Sequence, residues 1–220
     1  MKELKLLNHY KMAETIYIQM QRKDMRLKRL PFILGNLAPD LYCSFIFRRH
    51  EYDCSIVPVR KAIFRLYEGR FDPCSELFAY FMGVVCHYIC DYFCYSHSPA
   101  FRGNLWDHIK YEWVQRMAEA KKISFSGQEG YMMGFHRLMD TLDEYVRSHD
   151  YDLMLDASAA QTDLSIGTAV AGWLTEAVFC SAEQPSSLPA AGTAMIGMLH
   201  DNDALSAFPD VSYDDFITDP

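Results

Sequence analysis

The sequence predicts an all-α protein, a single-domain multi-helix bundle. Signals for β-strands are weak, because polar and apolar residues rarely alternate strictly and no Asn-Gly or Asp-Gly turn joins apolar runs. Residues that start and stop helices are frequent by comparison. Half of the 220 residues are hydrophobic, which is enough to build the packed core of one sizeable domain.

The overall charge argues against a nucleic-acid-binding surface. The net charge is -8 and the isoelectric point is about 5.4, whereas nucleic-acid-binding proteins gain most of their affinity from clustered Lys and Arg. The main basic concentration, at residues 21–30, is as compatible with a solvated helix end as with a binding patch. We therefore do not expect nucleic acid as a partner.

Cysteine usage and the N-terminal residues indicate the compartment. The seven cysteines are odd in number and lack the pattern of a small secreted domain, which favours free thiols in a reducing environment. Residues 1–15 lack the apolar core and the cleavage site of a signal peptide. We therefore expect a cytoplasmic protein whose residues 1–200 form the helical domain and whose residues 201–220 form an acidic, poorly ordered tail.

The first half of the chain predicts three helices. The first spans about residues 9–24 and the second about residues 58–69. The segment between them, residues 31–58, is too long for a simple connection and too apolar for a disordered linker. We therefore expect it to be irregular and functional. The third helix is predicted from an N-cap at Asp72, followed by proline at the first helical position, to about Ser96.

The second half predicts four more helices. One begins after Asn104 and ends near Lys122, with an acidic residue in its first turn and lysines in its last, as the helix dipole favours. A capping box precedes the next, since Ser126 is followed three residues later by Glu129. The last three of these helices are expected at about 127–148, 160–182 and 188–200.

The most apolar stretch contains two ionisable residues. Residues 77–95 have roughly the length of a membrane span, but His87 and Asp91 lie in the second half of the stretch. Two such groups would be costly in a bilayer without a partner, so we expect a buried core helix and no transmembrane segment. Cys86, Cys90 and Cys94 follow the same helix at four-residue intervals and are expected to be buried small hydrophobic residues rather than thiolate ligands.

Three histidines are followed four residues later by a carboxylate, an offset that places both side chains on one helix face. With 29 acidic residues among 220, about one such pair is expected from the eight histidines by chance. His136 and Asp140 have no second cluster nearby and are expected to lie on the surface. The other two pairs, with His97 between them, are expected to form one wall, because a short turn would fold the second helix beside the first; these residues are His87, Asp91, His97, His108 and Glu112.

Three further residues extend this set. Asp40 and His50 lie in the irregular segment, and His9 lies on the first predicted helix. Together the set offers five imidazoles and three carboxylates, which is enough for more than one zinc ion with nitrogen and oxygen ligands. The predicted fold is therefore a helical bundle with a metal cluster between its helices. The alternative that stays open is a buried network of salt bridges without metal.

The order of these motifs resembles that of the zinc-dependent phospholipase C family, whose fold is similar to that of S1/P1-type nucleases. The motifs are ILGNLAPD at residues 33–40, a histidine ten residues later, His-x3-Asp-x5-His from His87, and His-x3-Glu from His108. The resemblance covers about residues 9–112.

The resemblance implies a specific set of ligands. One zinc ion would be held by Asp40 and by His50, His87 and Asp91, and a second by His97, His108 and Glu112. Asp91 would bridge towards a third ion that His9 also binds. In the family a mature N-terminal tryptophan completes that third site, but no tryptophan precedes His9 here. A vacant site, a weakly filled site and one closed by another ligand such as water all stay open.

The resemblance also implies an activity. We expect zinc-dependent hydrolysis of a phosphodiester by a metal-activated water, with Asp40 orienting or deprotonating that water. The substrate would be a small phosphodiester or a phospholipid. Two alternatives stay open, a nuclease of the same architecture acting on single strands and a catalytically inactive zinc-binding scaffold. The sequence shows no evident amphipathic membrane anchor and does not indicate the oligomeric state.

Overall fold

The computed structural model describes residues 2–41, 50–118, 133–151 and 156–183, with side chains from residue 6 onward. Within these ranges the chain is helical and contains no strand, which confirms the all-α prediction. The α-helices are α1 (Lys2–Gln21), α2 (Arg29–Leu41), α3 (Tyr52–Tyr67), α4 (Glu76–Tyr92), α5 (Leu105–Met117), α6 (Phe135–Ser148) and α7 (Ala157–Glu183), and a 3₁₀ turn (Tyr95–His97) joins α4 to α5.

Helix α4 lies at the centre of the bundle. It packs against α1, α2, α3 and α7 and is buried along nearly its whole length, as expected for a core helix. Its N-cap is Ser75, whose Oγ accepts a hydrogen bond from the backbone N–H of Phe78 at 3.1 Å. The prediction of Asp72 as the N-cap is wrong, because its carboxylate accepts the N–H of Cys74 in the turn before the helix.

The expectation of an irregular segment over residues 31–58 is also wrong where the structure describes it. Helix α2 covers the first part, and α3 begins at Tyr52 instead of residue 58. Pro31 lies in the first turn of α2, where its missing N–H costs no hydrogen bond. Pro58 lies inside α3, where packing and the 2.9 Å hydrogen bond between Ser55 Oγ and Tyr92 of α4 outweigh the local preference for a helix start.

The remaining boundaries were predicted with mixed success. Asn104 caps α5 as predicted, within a capping box that it forms with Asp107, but the helix ends at Met117. The proposed capping box at Ser126, the helix at 188–200 and the tail at 201–220 lie outside the described residues.

Helix α5 does not run along α4 as expected but packs mainly against α1 and α7. Asn8 of α1 donates to the backbone carbonyl of Glu112 at 3.2 Å, and Tyr111 of α5 donates to the carboxylate of Asp163 on α7 at 2.6 Å. These polar contacts fix the position of α5 beside the end of α4.

Helix α7 has the length and composition of a membrane span, and it is the one described helix that does. Buried residues make up 78% of its most apolar window. A core helix of a folded domain passes the same test of length and hydropathy, so α7 is weak evidence for a transmembrane segment.

Two glycines allow α2 and α4 to cross at backbone distance. A Cβ atom on Gly35 would lie 1.9 Å from the carbonyl oxygen of Tyr80, and one on Gly83 would lie 2.2 Å from that of Phe32. Real Cβ atoms do not approach backbone atoms so closely. This crossing brings the C-terminal half of α2 beside the C-terminal half of α4.

We therefore predict that Gly83→Ala forces α2 and α4 apart. Overpacking of this kind costs about 1–3 kcal/mol of unfolding free energy, and the rigid backbone of Phe32 leaves little room for relief. Denaturant unfolding measures the change. Gly134→Ala is the matched control, because a Cβ atom there meets nothing within 4 Å, and an equal loss in both variants would contradict the argument.

Candidate metal centre

The carboxylate of Asp91 lies among four imidazoles. Its Oδ2 atom is 2.5 Å from Nδ1 of His50 and 3.3 Å from Nε2 of His87. Its Oδ1 atom is 3.3 Å from Nε2 of His9 and 3.8 Å from Nε2 of His97. Asp91 itself is 3% exposed, so one buried carboxylate contacts histidines from four different parts of the chain.

These contacts hold the acidic groups in their charged form. Burial alone would raise the pKa of Asp91, but the surrounding histidines outweigh it and hold that pKa well below its ordinary value. Burial would also raise the pKa of Asp40, yet His87 and His9 leave it lowered. For His9, burial would lower the pKa, but the Asp91 carboxylate raises it overall.

The ring of His87 is oriented by a backbone carbonyl. Its Nδ1 lies 2.8 Å from the carbonyl oxygen of Asn36 on α2. A carbonyl only accepts hydrogen bonds, so Nδ1 carries a proton, and in the neutral ring Nε2 keeps its lone pair. That lone pair faces Asp91 and Nδ1 of His50, which lies 3.2 Å away. Such a carbonyl contact is typical of metal-ligating histidines.

The eight predicted residues form three groups that could each hold a metal ion. Within each group the candidate ligand atoms lie within 4.8 Å of one another. We name them the inner group (His9, Asp40 and His87), the middle group (His50, Asp91 and His97) and the outer group (His97, His108 and Glu112).

The outer group coincides with the ligand set that the resemblance implied for the second zinc. The other two groups divide the remaining residues differently, because Asp40 lies with His9 rather than with His50. Asp91 contacts members of all three groups, in keeping with a bridging position. The assignment of each ligand to an ion stays a prediction.

Different elements supply the three groups. His9 lies on α1 and stacks on His87 with ring centroids 3.8 Å apart. His50 precedes the N-cap of α3, and His97 ends the 3₁₀ turn. His108 and Glu112 are one turn apart on α5, with Nε2 and Oε1 2.7 Å apart.

The donor set suits zinc. Buried imidazole nitrogens and carboxylate oxygens are the ligands that zinc prefers when thiolates are absent. The buried Oδ2 atom of Asp40 has no hydrogen-bond partner among the described residues and lies 3.8 Å from Nε2 of His9. A cation between them would satisfy an oxygen that is otherwise costly to bury.

A supporting residue that the sequence analysis missed lies on α7. Asp163 is 2% exposed, and its Oδ2 atom accepts the backbone N–H of Tyr95 and the hydroxyl of Tyr111, both at 2.6 Å. The first contact ties down the turn that carries His97, and the second ties down α5 next to Glu112. An aspartate within the largely apolar sequence of α7 was the available signal.

Two other expectations are confirmed. His136 and Asp140 are both exposed and belong to none of the three groups. Cys86, Cys90 and Cys94 are free and buried, and burial raises the pKa of the Cys86 thiol to about 12. These thiols therefore serve as core residues rather than as thiolate ligands.

Comparison with known proteins identifies one family. The family model for zinc-dependent phospholipase C matches residues 8–152, which is more than half of the chain. The matched range contains every residue of the three groups, while Asp163 lies beyond it. No curated protein and no solved structure matches the chain.

We predict that His87→Ala lowers both bound zinc and thermal stability. A metal held only by the folded state stabilises it, so losing a ligand of the inner group should lower the melting temperature by about 4 °C or more. Elemental analysis and calorimetry measure the two effects. His136→Ala is the matched control, and unchanged zinc in His87→Ala would contradict the assignment.

We also predict that Asp163→Ala lowers the zinc affinity of the outer group, although Asp163 is not a member of that group. It would leave the N–H of Tyr95 and the hydroxyl of Tyr111 without their acceptor, at a cost of about 1–3 kcal/mol for each buried group. Asp163→Asn keeps one acceptor oxygen and should lose much less unfolding free energy. The unfolding free energy and the zinc affinity are measured for both variants. Equal losses in the two variants would contradict this role.

Proposed function

The chain belongs to the zinc-dependent phospholipase C family, and on that premise we propose that it hydrolyses a phosphodiester, with the headgroup bond of a phospholipid as the expected substrate. The observation that carries this proposal is the sharing of residues among the three metal groups. His97 belongs to two of them, and Asp91 contacts members of all three. Sites joined by such shared residues suit neighbouring ions that act on one substrate.

The three groups offer nitrogen and oxygen ligands for the zinc ions that this chemistry uses. The outer group would hold one zinc, and the inner and middle groups would hold one or two more around Asp91. Bound zinc would supply positive charge for the phosphate oxygens and lower the pKa of water. The count of ions is part of the proposal.

Asp40 is the proposed general base. Its pKa is lowered from the ordinary value because His87 and His9 outweigh the effect of burial, so the group is ionised near neutral pH. Its Oδ2 atom lacks a hydrogen-bond partner among the described residues. If a cation takes this oxygen, the other carboxylate oxygen of Asp40 can orient a water molecule and accept its proton.

The histidines would fix the geometry of the reaction. Stacking of His9 on His87, together with the Asn36 carbonyl behind His87, holds both rings in place before substrate arrives. Ligands that are fixed in advance would hold the charge of the bound ions in place. Such preorganised charge is usually a large part of catalysis, because it needs no rearrangement in the transition state.

We predict chelator-sensitive hydrolysis of phosphodiesters. The zinc-loaded protein should turn over bis-p-nitrophenyl phosphate and phosphatidylcholine, and Asp40→Asn should lower turnover on the order of 10²–10⁴-fold. Asp140→Asn, which changes an exposed aspartate outside the centre, is the control. Zinc content measured in parallel separates a lost base from a lost metal.

Single-stranded DNA is the comparison substrate in the same assay. Preferential cleavage of DNA would assign the centre to a nuclease, and full zinc content without turnover of any phosphodiester would leave a zinc-binding scaffold. Either result would overturn the proposed lipid activity.

A further inference from the structure

Helix α5 exposes a concentration of large apolar side chains. We call Leu105, Trp106, Trp113 and Met117 the tryptophan face. Among the described helices α1 and α2 expose two large apolar residues each, and α3 and α4 one each, so four on a 13-residue helix are unusual. Trp106 is 77% exposed and Trp113 is 53% exposed, although tryptophan is highly buried on average.

The spacing of three of these residues makes a stripe along the helix. Trp106, Trp113 and Met117 are separated by seven and then four residues, which are close to two turns and one turn of an α-helix. Their side chains therefore project from the same side of α5. The helix is held to the bundle by its other side, through Tyr111 and through the backbone of Glu112.

The charges around this stripe are positive. Arg102, Lys110 and Arg116 are exposed. Both acidic residues of α5 are otherwise engaged, because Asp107 accepts the N–H of Asn104 in the capping box and Glu112 is buried in the outer group. A positive apolar surface stands out on a chain whose net charge is -8.

We propose that the tryptophan face docks on the surface of a phospholipid bilayer. Tryptophan prefers the interface between headgroups and acyl chains, and neighbouring Lys and Arg are attracted to lipid phosphates. The proposal rests on the proposed function for its link between lipid and substrate. His108 and Glu112 lie on the same helix, so docking would bring the outer group within about one helix diameter, 10–12 Å, of the headgroups.

Intrinsic fluorescence gives a direct test on the zinc-loaded full chain. The protein has three tryptophans, of which Trp106 and Trp113 are exposed and Trp173 is buried. Vesicles of phosphatidylcholine mixed with phosphatidylglycerol should shift the emission to shorter wavelength and carry the protein down on sedimentation. Binding should weaken as salt is added, because ions screen the cations.

The double variant Trp106→Ala/Trp113→Ala should lose at least about tenfold in vesicle partitioning, since two interfacial anchors are removed. Leu30→Ala/Val57→Ala is the matched control, because it removes exposed apolar residues from α2 and α3. Unchanged zinc content and melting temperature in the double tryptophan variant establish that it folds.

The outcomes separate docking from catalysis. Tryptophan-dependent vesicle binding without turnover of any phosphodiester would support docking and overturn the proposed function. Turnover of bis-p-nitrophenyl phosphate without vesicle binding would overturn docking alone. A concentration-dependent dimer that the double tryptophan variant abolishes, with no vesicle binding by the native chain, would assign the face to a second copy and also overturn docking.

Discussion

The burial of the Asp91 carboxylate in the most apolar helix is the constraint on which the rest of the structure depends. A charged carboxylate with almost no contact with water is costly unless opposite charges or a metal surround it. No single helix can supply enough partners, because only residues three or four positions away share its face. The chain therefore brings histidines to Asp91 from α1, from the residue before the N-cap of α3 and from the turn after α4.

This convergence requires an unusually close crossing of helices. Gly35 and Gly83 let the backbones of α2 and α4 touch, and the crossing brings the carbonyl of Asn36 to the ring of His87. On the far side of the cluster, Asp163 holds the turn and the helix that carry the outer group. The centre is thus braced on both sides by residues that do not belong to the three metal groups.

The sequence predicted the parts of this centre that obey local geometry. His87 with Asp91 and His108 with Glu112 could be found because the four-residue offset is a property of any α-helix. Asp40 and His50 could be placed only through a resemblance, since no local rule connects them to α4. The packing of α5 and the role of Asp163 depend on contacts between residues about 50–105 positions apart, and these were not predictable. The start of α3 was wrongly predicted at Pro58, because tertiary packing overrode the local preference of proline for a helix start.

The periodicity of α5 connects the metal centre to the exposed surface. Trp106 and His108 are two residues apart, so their side chains point to nearly opposite sides of the helix. Trp113 continues the side of Trp106 two turns later, and Glu112 continues the side of His108 one turn later. Because the capping box and Asp163 fix this helix in place, a surface that binds the tryptophan face would be held at a constant distance and orientation from the outer group. A single short helix would then set both the ligand geometry and the approach of a lipid substrate.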